Sequence, residues 1–376
     1  MRARRGAFGR SRRLAASRDS SARQRARALV LEHGWNASAY QILNPGLTLW
    51  FSERGDAVAG YATFGHTWVV AGAPVCAEPR LSSVIRELER DARSTSARIV
   101  YFAAGRRLAT DLATDGAHHV LPIGAQPVWN PTRWPDVVRR KSSLRAQLNR
   151  ARNKSVVVTE WRDAGDRHGE LDDVRRAWLE TRGLPPLHFM TESDTLGELH
   201  DRRVFVAERG RDGIAAFLVA TPVPARRGWL IEQWPRRREA ANGTMQMLVD
   251  AAMRAVAADG AEYVTMGLAP LSERAGRLWE REPAWLRVAM RWMRAHGRRF
   301  YNFRGLEAFK ASFEPERWEP LHVATVGSRI TPWDLRAIAG VFGGGSPERL
   351  LARAIATAVL REGRNLSAVE KITAPK

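Results

Sequence analysis

The sequence predicts a mixed α/β (α+β) protein built from two halves with a similar order of elements. Three observations point to this fold class. Of the 376 residues, 44% are hydrophobic, which is enough material for the cores of about two domains. Short runs of apolar and β-branched residues alternate with stretches of helical periodicity. The same order of strands and helices occurs twice, which indicates an internal structural duplication.

The first half reads as a meander of three strands followed by helix, strand, helix and strand. A turn at 53–56 separates the first two strands, and Gly116 ends the second helix. The predicted strands lie at 47–52, 57–64, 67–73, 99–103 and 119–123, and the predicted helices at 81–93 and 106–115.

The second half restarts the pattern after a connection at 127–135 and a helix at 139–153. The predicted strands lie at 155–161, 203–208, 213–221, 228–234, 262–266 and 321–326, and the predicted helices at 170–182, 244–259, 286–296 and 306–313. The expected domains are a basic leader (1–32), a first lobe (33–138), a basic linking helix (139–153), a second lobe (154–326) and a tail (327–376). In the tail, three glycines at 343–345 precede a predicted helix at 347–360.

The charge balance is strongly basic. Sixty Lys and Arg face forty Asp and Glu, which gives a net charge of +20 and favours polyanionic partners such as RNA or anionic lipid. Ten arginines in residues 1–27 face a single acid, a composition typical of a solvated arm that binds RNA or lipid. The helix at 139–153 carries six basic residues and no acid. A biased genomic composition is the alternative explanation, since nearly all the basic residues are arginine.

Several classes of function have no support in the sequence. Cys76 is the single cysteine, so no intrachain disulfide can form, and its apolar surroundings favour a core position over a nucleophile. No segment has metal-ligand spacing, and the Gly-x-Ser-x-Gly and Walker motifs are missing. No apolar run approaches the length of a membrane span, and no secretory signal is visible. We expect a cytoplasmic protein, which could also bind peripherally to the inner face of the membrane.

Three segments together resemble the catalytic domain of the phosphatidylglycerol lysyltransferase family. The first is LRAQLNRA at 144–151 on the basic helix. The second is IEQWPRRREAANGTM at 231–245, followed by VTMGLAPL at 264–271. The third is YNFRGLEAFKASFEPERWEP at 301–320. One departure is clear: many relatives have Arg-x-Pro-Asp-x-Pro before Asn-Gly-Thr, and this chain has RRREAA at 236–241, without either proline.

The resemblance implies two acetyltransferase-like (GNAT-type) lobes that face one another. One side of their junction would receive the 3′ end of an aminoacyl-tRNA, and the other a phospholipid headgroup such as phosphatidylglycerol or a related hydroxyl or amine acceptor. The reaction is attack on an activated ester, which requires positioning, proton removal and oxyanion stabilisation, but no metal and no further cofactor. The tRNA enters as a co-substrate, and an anionic lipid or membrane surface is an expected partner.

Four residues are the candidate catalytic groups. Lys310 matches a family lysine and could hold a phosphate or the oxyanion, although spacing alone favours an ordinary surface lysine. Arg236 matches a family arginine and suits phosphate contact. Glu232, if it points into the cleft, and Glu239 are rival candidates for the general base.

The candidate substrate-binding residues fall on three segments. A helix starting at Asn242, Gly243 and Thr244 offers free N–H donors to an anion, with a plain cap by Asn242 as the alternative. On the basic helix, residues at helical spacing share one face that suits a tRNA backbone, although a solvated helix is the competing explanation. The substrate-binding set is Arg145, Asn149, Arg150, Arg237, Asn242, Gly243, Thr244, Asn302 and Arg304.

Three other functions are compatible with the same fold. An acyl-CoA N-acyltransferase is the first, but the Gln/Arg-x-x-Gly-x-Gly/Ala loop that binds coenzyme A is missing. A non-catalytic RNA- or membrane-binding protein on a decayed transferase is the second. The cell-wall peptide transferases with paired lobes are the third, and differ in their acceptor.

Overall fold

A computed structural model describes residues 20–114, 116–161, 167–181, 188–191, 196, 199–210, 213–274, 276, 282–296, 302–327 and 329–345. The helices are α1 (20–33), α2 (Leu81–Ser94), α3 (Arg106–Thr114), α4 (Trp134–Arg140), α5 (Ser142–Asn153), α6 (His168–Glu180), α7 (Thr244–Ala258), α8 (Ala284–His296), α9 (Phe303–Ala311) and α10 (Pro332–Phe342). The strands are β1 (Thr48–Phe51), β2 (Val58–Phe64), β3 (Thr67–Ala71), β4 (Arg98–Ala104), β5 (His118–Trp129), β6 (Val156–Trp161), β7 (Arg203–Arg209), β8 (Ile214–Val223), β9 (Gly228–Gln233), β10 (Tyr263–Thr265), β11 (Ala269–Pro270) and β12 (Arg317–Val326).

All twelve strands belong to one hydrogen-bonded sheet. Its order is β1-β2-β3-β4-β12-β5-β10-β9-β8-β7-β6, and β11 pairs with β5 off this path. Within the described residues, β3–β4 and β9–β10 pair in parallel, whereas the other named strand pairs are antiparallel. The predicted mixed α/β class is confirmed.

The repeated order of elements is also present. In the first half, the meander β1-β2-β3 leads through α2 to β4, which pairs in parallel with β3. In the second half, the meander β7-β8-β9 leads through α7 to β10, which pairs in parallel with β9. Each helix lies between two parallel strands because a parallel connection needs a crossover. The two halves therefore present equivalent strand ends.

The two halves are joined through long strands at the centre of the sheet. β12, from the end of the second half, lies between β4 and β5, and Val323 pairs with both Phe102 and Leu121. The last residues of β5 pair in turn with β10 of the second half. β5 consequently runs to Trp129, well beyond the predicted end at 123, and includes part of the segment predicted as a connection. The predicted domain boundaries stay predictions.

The basic linking helix is two helices. Lys141 has extended backbone angles (φ −87°, ψ 94°) and separates α4 from α5. The Nη1 of Arg145 donates to the carbonyls of Val138 (3.2 Å) and Arg139 near the end of α4, and so stabilises the break. The prediction of one continuous helix at 139–153 was wrong, because periodicity does not register a single extended residue.

Both ends of the described chain pack on the body. Residues 20–33 form a helix that buries Ala26 and Val30, so residues 20–27 are not a solvated arm. In the tail, α10 begins with a capping box between Thr331 and Asp334. Residues 1–19 and the predicted helix at 347–360 lie outside the described residues. No helix in the described ranges has the length and apolar character needed to cross a bilayer.

Candidate functional site

The parallel strands β9 and β10 stop pairing at their carboxyl ends. The two strands pair from Gly228 and Tyr263 as far as Leu230 and Thr265. Beyond this point β9 continues to Gln233, whereas β10 ends and the chain turns toward β11. Crevices at the carboxyl ends of parallel strands are the usual place for ligands in α/β sheets. We call this region the β9/β10 opening.

Lys310 points its ammonium into the turn that follows β10. Its Nζ donates to the carbonyl oxygens of Gly267 and Leu268, each at 2.9 Å, and the residue is only 2% exposed. The competing explanation of an ordinary surface lysine was therefore wrong. Burial lowers the pKa of Lys310 to about 7, because desolvation disfavours the charged ammonium. Near neutral pH this amine is poised between its two protonation states.

Aromatic side chains surround this lysine. The ring of Trp234, just past the end of β9, lies 5.7 Å from Nζ. Phe309 contacts Trp234 with ring centroids 6.3 Å apart, and Phe313 packs edge-on against Phe309 at 5.1 Å. Phe309 lies in the last turn of α9, and Phe313 lies in the turn that follows the helix. Trp234 thus contributes to the burial that lowers the pKa of the amine.

Glu232 lies on the part of β9 that extends beyond its pairing with β10, and it connects the two halves of the chain. Its Oε1 accepts from Gln41 Nε2 at 3.4 Å and from Asn44 Nδ2 at 3.3 Å, both at the short 3₁₀ turn Tyr40–Leu43. Its Oε2 lies 3.5 Å from Nε of Arg202, and the two side chains are 3% and 2% exposed. A carboxylate held by an arginine and two amides is better placed to position groups than to accept a proton.

Sequence reasoning missed the partners of Glu232. Arg202 donates through Nη2 to Asn44 Oδ1 at 2.6 Å, and its guanidinium lies 5.0 Å from the Tyr40 ring centroid. The Tyr40 hydroxyl donates to the carbonyl oxygen of His200, and burial raises the pKa of this phenol. The available signal was the polar pair Gln41 and Asn44 on either side of an apolar dipeptide.

The loop from Arg236 to Glu239 runs beside the start of β8. Arg236 forms an antiparallel bridge with Ala216, and its side chain is exposed. Arg237 donates through Nε to the carbonyl oxygen of Ile214 at 3.0 Å. This contact accounts for the position of the Arg237 side chain without a bound substrate. Arg238 and Glu239 are exposed. Arg236 follows Trp234 by two residues, so the loop begins next to the ring that contacts Lys310.

The start of α7 packs tightly against α5. Gly243 is the N-cap residue at φ +93°, and an added Cβ would lie 2.1 Å from the carbonyl oxygen of Gln147. This close approach explains the glycine without a bound ligand. Asn242 is exposed and makes no capping bond, so the alternative of an Asn242 cap was wrong. Thr244 is buried and donates through Oγ1 to the Ala241 carbonyl at 2.7 Å.

The basic helix α5 presents its predicted face to solvent. Arg145, Asn149 and Arg150 are exposed, whereas Leu144 and Leu148 are buried. This face is accessible to a polyanion, although Arg145 also bonds the end of α4.

Two further predicted residues lie at the start of α9. The Asn302 side chain caps this helix by accepting from the Gly305 N–H at 3.0 Å. Arg304 is exposed on its first turn. Asn302 therefore has a structural role, whereas Arg304 is free to reach solvent.

Comparison with known proteins identifies the family of this chain. The sequence profile described as "Phosphatidylglycerol lysyltransferase, C-terminal" matches residues 27–325. A C-terminal domain of a putative lysylphosphatidylglycerol synthetase from Agrobacterium fabrum superposes with a TM-score of 0.73 at 24% identity, covering 87% of this chain and 98% of that one. L-PGS from Bacillus licheniformis gives a TM-score of 0.71 at 20% identity, covering 85% and 96%. No curated protein matches the chain significantly.

Proposed function

The chain belongs to the phosphatidylglycerol lysyltransferase C-terminal domain family, and from that premise we propose that it transfers an aminoacyl group from aminoacyl-tRNA to a phospholipid headgroup hydroxyl. The observation that carries the proposal is Lys310, a buried amine at the β9/β10 opening on a segment that resembles the family motif. Among the described residues Lys310 has two carbonyl oxygens and no carboxylate as partners. A buried cation of this kind is costly to maintain, and groups with such shifted pKa values cluster at functional sites.

The reaction requires one bond to form and one to break. The acceptor hydroxyl oxygen attacks the ester carbonyl carbon, and the carbonyl oxygen gains negative charge. The tetrahedral intermediate then collapses, the bond to the tRNA ribose oxygen breaks, and that oxygen takes a proton. The Lys310 ammonium stabilises the developing oxyanion by donating a hydrogen bond in a site from which water is largely excluded. The acceptor hydroxyl proton passes to a base, for which exposed Glu239 is the better candidate, because the Glu232 carboxylate is already held by Arg202 and two amides.

The burial of Lys310 places a condition on this mechanism. At 2% exposure its ammonium meets a substrate only when neighbouring side chains move aside. Trp234 is the natural candidate because it lies over the amine and begins the loop that carries Arg236. Binding of the tRNA 3′ end to that loop would shift Trp234 and bring the ester to Nζ.

The net charge supports the choice of a tRNA donor. The chain carries +20, and α5 holds Arg145, Arg150 and Arg152 on its exposed surface. Such a surface binds a phosphate backbone with an affinity that falls steeply with salt. The same charge attracts anionic headgroups, so it would bring donor and acceptor to one protein.

A transfer assay with defined donors tests this function. The purified full chain is mixed with phosphatidylglycerol vesicles and tRNA charged with one labelled amino acid at a time, and label in the organic phase is measured. We expect transfer from at least one charged tRNA, and complete loss after RNase treatment of the donor.

A parallel reaction with labelled acetyl-CoA provides the control. Transfer from acetyl-CoA, with none from any charged tRNA, would replace the proposal by the acyl-CoA alternative. Binding of tRNA without transfer to any lipid extract would instead support a non-catalytic protein.

A further inference from the structure

A second cleft lies in the first half of the chain, at the carboxyl ends of the other parallel pair, β3 and β4. It is partly open to solvent, and its lining includes His33, Trp35, Pro74, Cys76 and Arg107. None of its lining residues belongs to the Lys310 or Glu232 clusters. We call it the β3/β4 cleft. By position it is the counterpart of the β9/β10 opening in the duplicated fold.

Arg107 lines this cleft and carries two N–H donors that are not hydrogen-bonded. Its Nε and Nη2 atoms are both buried and have no hydrogen-bond partner among the described residues, whereas 20% of the side chain as a whole is exposed. The Glu78 carboxylate lies nearby, with Oε1 3.5 Å from Nε, but 76% of the Glu78 side chain is exposed. Buried guanidinium N–H groups without an acceptor are rare in folded proteins, because their desolvation is not compensated.

At other arginines of this chain, Nε and Nη2 both donate to one carboxylate. Arg80 directs Nε and Nη2 to the two carboxylate oxygens of Asp56, at 2.8 and 3.2 Å. Arg203 does so with Glu160, at 2.6 and 2.8 Å. Side-on pairing of this kind fits any group with two oxygens at carboxylate or phosphate spacing. At Arg107 no described carboxylate pairs with both donors, and the nearest one, Glu78, is mostly exposed.

The rest of the cleft suits an anion with a small apolar part. Trp35 is 42% exposed, and its ring lies between the guanidinium groups of Arg107 (5.7 Å) and Arg226 (5.3 Å). Burial raises the pKa of the Cys76 thiol to about 11, so no thiolate competes for the cation. Arg107 lies in the first turn of α3, where the helix dipole also favours negative charge.

We propose that the β3/β4 cleft binds a small soluble oxyanion, phosphate or carboxylate, whose two oxygens accept from Nε and Nη2 of Arg107. Trp35 covers the ligand at the mouth, and the apolar lining holds its non-ionic part. This site is independent of the proposed transfer reaction, because it shares no residue with it. Glu78 competes for the same edge when the ligand is absent.

Calorimetric titration of the full chain tests the proposal. Inorganic phosphate, glycerol 3-phosphate and acetate are titrated separately, which distinguishes phosphate from carboxylate recognition. We expect saturable binding of at least one of them at a single site. Arg107→Gln should weaken it by about tenfold or more, since a charge-assisted bidentate contact is lost. Glu78→Gln should strengthen it, since the competing carboxylate is removed.

Arg106→Gln is the matched control. Arg106 precedes Arg107 on α3 and is exposed, so its replacement removes the same charge without touching the buried edge. An equal loss of affinity in the two variants would show that only the net positive charge matters, and it would overturn the proposal. Unchanged affinity in Arg107→Gln, or no saturable binding to wild type, would also overturn it. A large fall in melting temperature of ligand-free Arg107→Met would do so too, by showing that the guanidinium is satisfied within the fold.

Discussion

Replacing Lys310 with methionine should lower the single-turnover rate of aminoacyl transfer by about 100-fold or more, the usual effect of removing one oxyanion donor. Methionine has a similar length and keeps the apolar contacts to Trp234 and Phe309, so the change removes the ammonium and little volume. The rate is measured with saturating charged tRNA, so that weaker donor binding does not contribute.

Lys154→Met is the control for this variant. Lys154 is exposed at the end of α5, so its loss changes the net charge equally and leaves the β9/β10 opening intact. Circular dichroism and the affinity for uncharged tRNA establish that Lys310→Met is folded. A folded Lys310→Met variant with a rate close to wild type would remove Lys310 from the reaction.

Replacing Arg202 with methionine should lower the free energy of unfolding by about 3–5 kcal/mol, because it leaves the Glu232 carboxylate buried without its cation. The replacement also removes the donor to Asn44 Oδ1, which accepts from Arg202 Nη2 at 2.6 Å. Denaturant titration monitored by tryptophan fluorescence measures the change.

The neighbouring Arg203 provides the comparison for Arg202. It pairs with Glu160 and Asp259, whose side chains are 29% and 66% exposed, so those acids return to water when the cation is removed. Arg203→Met should therefore cost less than Arg202→Met. Equal losses, or an unchanged stability in Arg202→Met, would contradict the role assigned to the Glu232 cluster.

Local patterns were sufficient to predict most elements of the fold. The strand β9 and the helix α7 follow from an apolar run and from the turn at Asn242 and Gly243, and the observed bounds differ by one residue. Long-range pairing was not predictable in the same way. β12 inserts between β4 and β5 although it lies about 200 residues further along the chain, and the greater length of β5 follows from that insertion.

The same limit applies to the candidate site. The motif resemblance identified Lys310, but its burial depends on Gly267 and Leu268, more than forty residues away. Glu232 could be proposed from its apolar strand, whereas its contacts with Gln41 and Asn44 span 191 and 188 residues. Periodicity also does not distinguish an exposed arginine from a buried one. The absence of a described hydrogen-bond partner for Nε and Nη2 of Arg107 could therefore not be predicted from the sequence.

The pH dependence of the single-turnover rate at sub-saturating charged tRNA, which reports the pKa values of the free protein, tests the central claim most directly when wild type and Lys310→Arg are compared. The pKa of Lys310 is lowered to about 7, so the ammonium that stabilises the oxyanion is lost as pH rises through that value. Between about pH 6 and about pH 9, the wild-type rate should fall, whereas Lys310→Arg should show no such fall because guanidinium stays charged. Titration of the aminoacyl amine affects both proteins equally. A wild-type rate that rises through pH 7, or the same descending limb in both proteins, would contradict the account.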